Sequence, residues 1–357
     1  MEESRHELKH ALDDYTTLRL GGPVARMSAA DSEDDLVQAV ADADVSGSEL
    51  LLLGGGSNLV IGDDGFEGAV LRIANRGVEL TRDGDTAWVT LAAGEDWDEV
   101  VARTVAEGYG GLECLSGIPG LVGATPIQNV GAYGCEISEL LVSARVYDRR
   151  LGSVDELGPD DLGFTYRGSA LKGTDRGVVL SVRLALRPDG LSQPIRYAEL
   201  ARTLGVDVGT RVPAADAREA VLELRRGKGM VLDSHDHDTW SAGSFFTNPI
   251  VAENDVDLVL ARIRAVVGDN ARLPTFPADG GTKLSAAWLI ERAGFAKGYA
   301  GPGGRVRLSS KHTLALTNRG NASTADLLAL AREVRDGVAE RFGIALRPEP
   351  LLINCAM

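Results

Sequence analysis

Two glycine-rich stretches carry the residue types best suited to holding a phosphate-bearing ligand. In Leu50-Leu51-Leu52-Leu53-Gly54-Gly55-Gly56-Ser57-Asn58-Leu59-Val60-Ile61, an apolar run breaks at three glycines and two small polar residues and then resumes. Glycine takes positive φ readily and leaves room for close approach, so successive N–H groups here can converge on a phosphate as an anion nest. The alternative reading of the same residues is an ordinary hairpin. A dinucleotide fingerprint is excluded, because Gly-x-Gly-x-x-Gly must open a helix and the residues after Asn58 are Leu, Val and Ile, which favour a strand. Gly227-Lys228-Gly229 and Gly281-Thr282-Lys283 lack the spacing of a Gly-x4-Gly-Lys-Ser/Thr loop. The second stretch, Gly110 to Gly134, is too rich in glycine for a long regular element, and so long a loop implies function.

Other reactive residue types give weaker signals. Asp233-Ser-His235-Asp-His237-Asp238 lacks structural-zinc spacing and reads as a mobile acidic loop, not a metal site. Cys114, Cys135 and Cys355 are odd in number and contain no Cys-x-x-Cys, which excludes a disulfide framework and predicts reduced, structural thiols. Cys135 has no basic neighbour in sequence to activate it. Asn321-Ala-Ser323 fits a glycosylation acceptor pattern but reads as the cap of the last helix.

A chain of 357 residues with 44% apolar content can bury a sizeable core in two or three domains. Its formal charge of −15 disfavours nucleic acid and anionic membranes as partners, so an anionic substrate needs a local basic pocket. Met1–Glu7 is charged, without an apolar signal core, and no later run approaches the roughly 20 apolar residues of a membrane span. A cytoplasmic, monomeric protein is expected.

The elements that must position these loops follow from periodicity and capping. Asp31-Ser32-Glu33-Asp34-Asp35 caps a helix through Leu36, Val37, Ala39 and Val40, ahead of the Leu50 strand. Thr86–Leu91 reads as a strand, followed by a helix with Trp97, Val100, Val101 and Val105 on one face that ends at Gly108. Strands resume at Leu141–Tyr147 and Val178–Leu186, and the first domain closes near Arg187-Pro188-Asp189-Gly190. Helical patterns cover Ala214–Arg226, Val256–Val267 and Ala286–Ala293; the last helix starts at Ser323-x-x-Asp326, carries Leu327, Ala331, Val334, Val338 and Phe342, and stops at Gly343. The class is α+β with two domains, the first itself bipartite.

Taken together, Leu53-Gly-Gly-Gly-Ser-Asn58, Gly117-Ile-Pro-Gly120 with Pro126-Ile-Gln-Asn-Val-Gly-Ala-Tyr-Gly134, Phe164-Thr-Tyr-Arg167, Ala242-Gly-Ser-Phe-Phe-Thr-Asn-Pro249, Lys283-Leu with Trp288-Leu-Ile, and Arg347-Pro-Glu-Pro350 resemble one family along nearly the whole chain. It is the UDP-N-acetylmuramate dehydrogenase family, also called UDP-N-acetylenolpyruvoylglucosamine reductase, of bacterial peptidoglycan synthesis. Cell-wall biogenesis, cell shape, division and the cell cycle depend on that pathway. The resemblance implies FAD on a two-part N-terminal domain of the vanillyl-alcohol-oxidase (PCMH) type, residues 1–188 with subdomains of roughly 1–75 and 76–188. It further implies a C-terminal α+β substrate-binding domain over 189–340 and a segment, 341–357, returning to the active site. NADPH is the implied reductant and a UDP-sugar the implied substrate.

Hydride addition to the methylene of an enolpyruvyl ether is a conjugate addition, so negative charge develops on the substrate carboxylate and adjacent carbon. Donors fixed where charge develops contribute about 3 to 4 kcal/mol each. The resemblance assigns this to Tyr166-Arg167, and the planar fork of Arg167 suits a carboxylate. Glu349, stiffened between Pro348 and Pro350, is implied at the same site, where it helps only if protonated or shared, so a raised pKa is expected. Ser244 is implied as the group that protonates carbon.

For FAD, the resemblance points to Gly54, Gly55, Gly56, Ser57 and Asn58, with a second wall from Ile118, Gly120, Gly123, Gln128, Asn129 and Gly131, and with Gly177 and Val178 at the adenine end. For the sugar nucleotide it points to Lys228, Asn248 and Lys283, and Tyr197 resembles the substrate-closing tyrosine of one subgroup. Between Gly229 and Ser241 the chain is longer and more acidic than the family pattern. Two other readings remain at this point: a flavin oxidase of the same FAD fold acting on a hydroxy acid or sugar, and a nucleotide-sugar binding protein without catalysis.

Overall fold

The spacing of apolar residues and the caps around them lead directly to the observed elements. In the computed structural model, which describes residues 10–278 and 280–357, Ser32 caps a helix over Glu33–Ser46 by accepting from the Asp35 N–H, and Gly47 ends it in the left-handed conformation at φ 65°. The charged segment Met1–Glu7 lies outside the described residues. Helices Trp97–Ala106, Ala214–Gly227, Val256–Val267, Ala286–Arg292 and Thr324–Phe342 stand where periodicity put them. No helix among the described residues is long and apolar enough to cross a membrane.

The chain divides into two compact units, one of Val24–Gly56 and Glu67–Val231, the other of the described residues up to Pro23 with Ser57–Phe66 and Leu232–Met357. In the first unit, strands Pro23–Ala30, Phe66–Ile73 and Leu50–Leu53 form one sheet in that order. Leu50–Leu53 runs parallel to Phe66–Ile73, with Leu50 opposite Ala69. Leu36 and Val40 of the first helix pack with Ala30 and Leu71 in a small core that also takes in Tyr147, Val178 and Leu180.

The second sheet of this unit is fully antiparallel, in the order Ser153–Leu157, Leu141–Asp148, Gly177–Leu186, Thr86–Ala92, Val78–Asp83. Its inward residues Val89, Leu91, Val182 and Leu184 share a core with Trp97, Val101, Leu115 and Val221. That core explains why compactness does not break at Arg187–Gly190 but runs on to Val231. Gly110 and Arg187 exchange both main-chain hydrogen bonds, at 2.8 and 2.9 Å, and Ala217 and Val221 of the Ala214–Gly227 helix are fully buried in that same core. The Pro-Asp-Gly turn there is a turn inside a unit, not a linker.

The other unit is built around Thr324–Phe342, whose Ser323–Asp326 capping box is present as its sequence specifies and whose Leu327, Ala331, Val334, Val338 and Phe342 are all fully buried. They pack with Phe245, Phe246, Leu289, Ile290, Val306 and Leu316. Leu59–Ile61 pairs in parallel with Leu351–Ile353, register Leu59 to Leu351. The hairpin reading of Leu50–Ile61 is therefore overturned: its two strands belong to different sheets and pair with different partners. The glycines between them form a crossover, not a tight return.

Candidate active site

Gly54, Gly55 and Gly56 follow a strand end in the first unit, and Gly56 sits at φ 60°. A Cβ on Gly55 would lie 2.7 Å from the Gly120 Cα, so these two main chains are in direct contact. Gly120 is held in turn by the Trp97 N–H, 3.0 Å from its carbonyl, and a Cβ on Gly123 would fall 2.6 Å from that of Ala93. Three stretches of backbone thus meet with almost no side chain between them. This is the arrangement a diphosphate needs, and these residues fit the cofactor the resemblance implies. Ser57 and Asn58 fall in the other unit, where the Asn58 carbonyl accepts from the Leu351 N–H at 3.0 Å. Val178 is 2% exposed with its side chain in the core, so only its main chain is available to a ligand.

Arg167 sits in the same unit at φ 56°, a conformation costly for a non-glycine residue and characteristic of functional turns. Its Nη2 donates to the Gly131 carbonyl at 2.7 Å, and its guanidinium lies 5.4 Å from the Tyr166 ring centre. A Cβ at Gly131 would come within 2.9 Å of its Nη1, so the absence of a side chain at Gly131 is what admits the arginine. The Asn129 amide donates to Glu136 at 2.8 Å and to the Thr165 carbonyl at 3.2 Å, fastening the Gly131–Glu136 hairpin to the arginine turn. Arg167, Tyr166, Asn129 and Gly131 are therefore neighbours, with Gln128 half-buried immediately before them.

At the tip of that hairpin Tyr133 adopts φ 50°, a residue that sequence reasoning missed. It packs edge-on to Tyr197 at 5.5 Å, and the Lys228 ammonium lies 5.6 Å from its ring centre. Burial pushes the Tyr133 phenol up to about 12, so it stays protonated through the physiological range. Lys228 also pairs with Glu199 at 2.5 Å. The signal that could have found Tyr133 is its place before Gly134 in Ala-Tyr-Gly, where a turn forces a large side chain outward.

In the other unit, the backbone segment that carries Ser244 runs beside the segment that carries Glu349. The Glu349 N–H donates to the Phe245 carbonyl at 2.9 Å, the Thr247 N–H donates to the Arg347 carbonyl at 3.1 Å, and Phe246 bridges Pro348. Both Ser244 and Glu349 are half-buried. The Asn248 Oδ1 accepts from the Ala286 N–H at 2.9 Å, and Lys283, opposite Ile250, precedes Leu284, whose N–H reaches the Pro249 carbonyl at 2.9 Å. Ser244, Asn248, Lys283 and Glu349 thus share one neighbourhood of that unit.

The Asp233–Asp238 segment is not the mobile acidic loop its composition predicts. Asp238 is 7% exposed, accepts from the Ser310 N–H at 3.0 Å and its hydroxyl at 2.5 Å, and pairs with Arg319 at 3.0 Å. Asp236 pairs with Lys311, and His237 packs on Trp240 at 4.3 Å. Charge partners 70 and more residues away in sequence order this loop, which a local reading cannot see. The cysteines are free thiols; the hydrogen-bonded Cys135 thiol and then burial push Cys114 far above its ordinary pKa, as an inert structural residue requires.

The family model described as an FAD binding domain matches residues 24–158, starting where the first compact unit starts. With the glycine-lined backbone cradle above, this defines the chain as a protein with an FAD-binding α+β domain. A second family model, the C-terminal domain of UDP-N-acetylenolpyruvoylglucosamine reductase, matches residues 235–353. The chain is 65% identical over 349 residues to the UDP-N-acetylenolpyruvoylglucosamine reductase of Saccharopolyspora erythraea, covering 97% of this chain and 95% of that protein. The protein of the same name from Nocardia farcinica is 59% identical over 343 residues, covering 96% and 88%. The crystal structure of the Thermus caldophilus UDP-N-acetylenolpyruvylglucosamine reductase aligns with a TM-score of 0.64 at 27% identity over 97% of this chain and 98% of that one. The chain belongs to the UDP-N-acetylenolpyruvoylglucosamine reductase family, FAD-dependent oxidoreductases.

Proposed function

We propose that this protein reduces UDP-N-acetylenolpyruvoylglucosamine to UDP-N-acetylmuramate with NADPH as reductant, as a cytoplasmic monomer in peptidoglycan precursor synthesis. The observation that carries the reading is the pairing of the Phe245 and Glu349 main chains, which brings the Ala242–Pro249 and Arg347–Pro350 segments together in a chain of this family. FAD, when bound, supplies the hydride for the enolpyruvyl methylene.

The residues do the rest. Arg167, oriented by its bond to the Gly131 carbonyl, presents its planar guanidinium to the substrate carboxylate as it gains electron density. Its charge is present before the reaction, so no reorganisation is needed when the enolate forms. The Ser244 hydroxyl gives its proton to the enolate carbon and is re-protonated through water or neighbouring groups, and the Glu349 carboxyl shares a proton with the developing anion. Lys228, Asn248 and Lys283 hold the sugar nucleotide, and Tyr166 and Tyr197 border it. Gly54–Asn58, Ile118, Gly120, Gly123, Gln128, Asn129, Gly131 and the Val178 main chain hold FAD. By the ligand each serves, and not by compactness, the FAD-binding part is 1–188 and the substrate-binding part 189–340, while 341–357 brings Glu349 to the substrate.

Anaerobic spectroscopy of the two half-reactions tests the assignment. The yellow protein should bleach with NADPH and recolour on adding the enolpyruvyl sugar nucleotide. Rapid recolouring by oxygen, with no need for the sugar nucleotide, would sink the proposal in favour of an oxidase.

A further inference from the structure

Gly117, which opens the Gly-Ile-Pro-Gly turn, has both of its main-chain polar groups held by charged side chains. Its N–H donates to the Asp98 Oδ1 at 2.7 Å, and its carbonyl accepts from the Arg225 Nη2 at 3.2 Å. Asp98 is gripped in turn by the Arg218 fork, at 2.6 and 3.1 Å. Burial would raise the Asp98 carboxyl, but the Arg218 and Gly117 hydrogen bonds and the nearby Arg225 charge outweigh it and hold it below the usual carboxylate range.

Arg225 stands at the end of the Ala214–Gly227 helix, three residues before Lys228. Its Nη2 also donates to the Met230 carbonyl at 2.8 Å. Its Nε is sealed from solvent and has no partner among the described residues. Among the described residues this guanidinium donates to carbonyls and not to a carboxylate, since nearby Asp98 is already gripped by Arg218, and that is an expensive way to brace an ordinary loop. Charge-assisted hydrogen bonds are about twice as strong as neutral ones, which suits a turn that must not move. Gly117 has no slack either: at φ 70°, a Cβ would meet Leu222 at 2.9 Å and Val231 at 3.1 Å. The far end of the turn is fixed by the Trp97 N–H on the Gly120 carbonyl, where Gly120 touches Gly55.

We propose that Asp98 and Arg225 are positioning residues for FAD: together they clamp Gly117 so that the 117–120 turn holds its cofactor-binding shape, while neither is required to touch the cofactor. The inference rests on the flavoenzyme reading above. It also ties the cofactor turn to Lys228, because one helix end supplies both.

The test is FAD affinity, measured by titrating the deflavinated protein, alongside the visible flavin spectrum and the melting temperature without FAD. Arg225→Lys keeps charge but not the fork, and Asp98→Asn keeps an acceptor but not the charge. Each should weaken FAD binding by about tenfold or more, the size expected for losing a charged hydrogen bond, and blur the flavin band. Arg226→Ala, which removes only the exposed pair with Glu219 at 3.2 Å, should bind FAD like the wild type. Wild-type affinity in both clamp variants, or a lowered melting temperature with FAD affinity intact, would overturn the clamp. Wild-type protein that takes up no FAD would instead refute the flavoenzyme reading itself.

Discussion

The main-chain N–H of Glu349 lies 2.9 Å from the carbonyl of Phe245, and this one hydrogen bond joins two motifs more than 100 residues apart. Each motif is unremarkable alone: a serine in a glycine turn and a glutamate between prolines. Joined by an isolated bridge between Phe246 and Pro348, they place a serine and a glutamate on adjacent backbone, backed by Phe245 and Phe246, each 1% exposed in a close-packed core. Rigid backing is what a proton donor of poor intrinsic acidity requires, since geometry must replace acidity.

Ser244→Ala should therefore separate the half-reactions. Reduction of the bound flavin by NADPH should proceed within about twofold of the wild type, while reoxidation by the sugar nucleotide should fall by roughly 10²–10⁴, the range of general acid catalysis. Stopped-flow absorbance resolves the two rates. An equal fall in both would show that Ser244 has some other role.

The Arg167 Nη2 donates to the Gly131 carbonyl at 2.7 Å. Lysine in its place keeps the charge but cannot bond that carbonyl and grip a carboxylate with one planar group. Arg167→Lys should lower kcat by about 10²–10³. Gly131→Ala should produce a smaller defect of the same kind, because its methyl would stand 2.9 Å from the guanidinium. Steady-state kinetics with wild-type substrate affinity but depressed kcat would show the common cause.

The glycines of the nest are separable by what their added methyl would meet. At Gly55 a Cβ would lie 2.7 Å from the Gly120 backbone, whereas at Gly54 the nearest atom is a Leu121 side-chain carbon at 3.7 Å, an ordinary contact. Gly55→Ala should lower stability without FAD by about 1 to 3 kcal/mol and weaken FAD as well. Gly54→Ala should leave the stability of the FAD-free protein near wild type, so any loss of FAD affinity there reports the ligand's own approach to the backbone. Denaturant titration and FAD titration of the same samples distinguish the two.

Much of this architecture was legible because local signals agreed with the global fold. The Ser32 and Ser323 caps, the stripe from Leu327 to Phe342 and the alternation over Val178–Leu186 each specify their element without help from elsewhere. Three features depended on partners distant in sequence. Leu59–Ile61 pairs with Leu351–Ile353 and not with its neighbour Leu50–Leu53, Asp238 is buried only because Arg319 and Ser310 reach it, and the Pro-Asp-Gly turn at 188–190 is enclosed by a helix that comes later. The site shows the same division. Its glycines announced themselves by type, whereas Tyr133, Asp98 and Arg225 are common residues given meaning by a turn they meet only in space.

The cap of the last helix also sets an acid limit. The Asp326 carboxylate accepts from the Ser323 N–H at 3.0 Å and from the Arg305 guanidinium at 2.8 Å, and the Arg305 bond above all drives its pKa well below the ordinary carboxylate value. A folded-state pKa depressed in this way stabilises the fold above the unfolded value of about 3.9, and the contribution is lost as pH falls through that value toward the folded pKa. Asp326→Asn should therefore weaken protection of the Thr324–Phe342 amides at pH 7 by about 1 to 2 kcal/mol, a figure discounted for the half-exposed Arg305. Below about pH 4 the gap between wild type and variant should begin to close, and it should keep closing as the pH falls further toward the folded pKa. Hydrogen exchange along this helix, compared at the two pH values, reads the difference directly; a gap that persisted or widened in acid would show that Asp326 acts through shape and not charge.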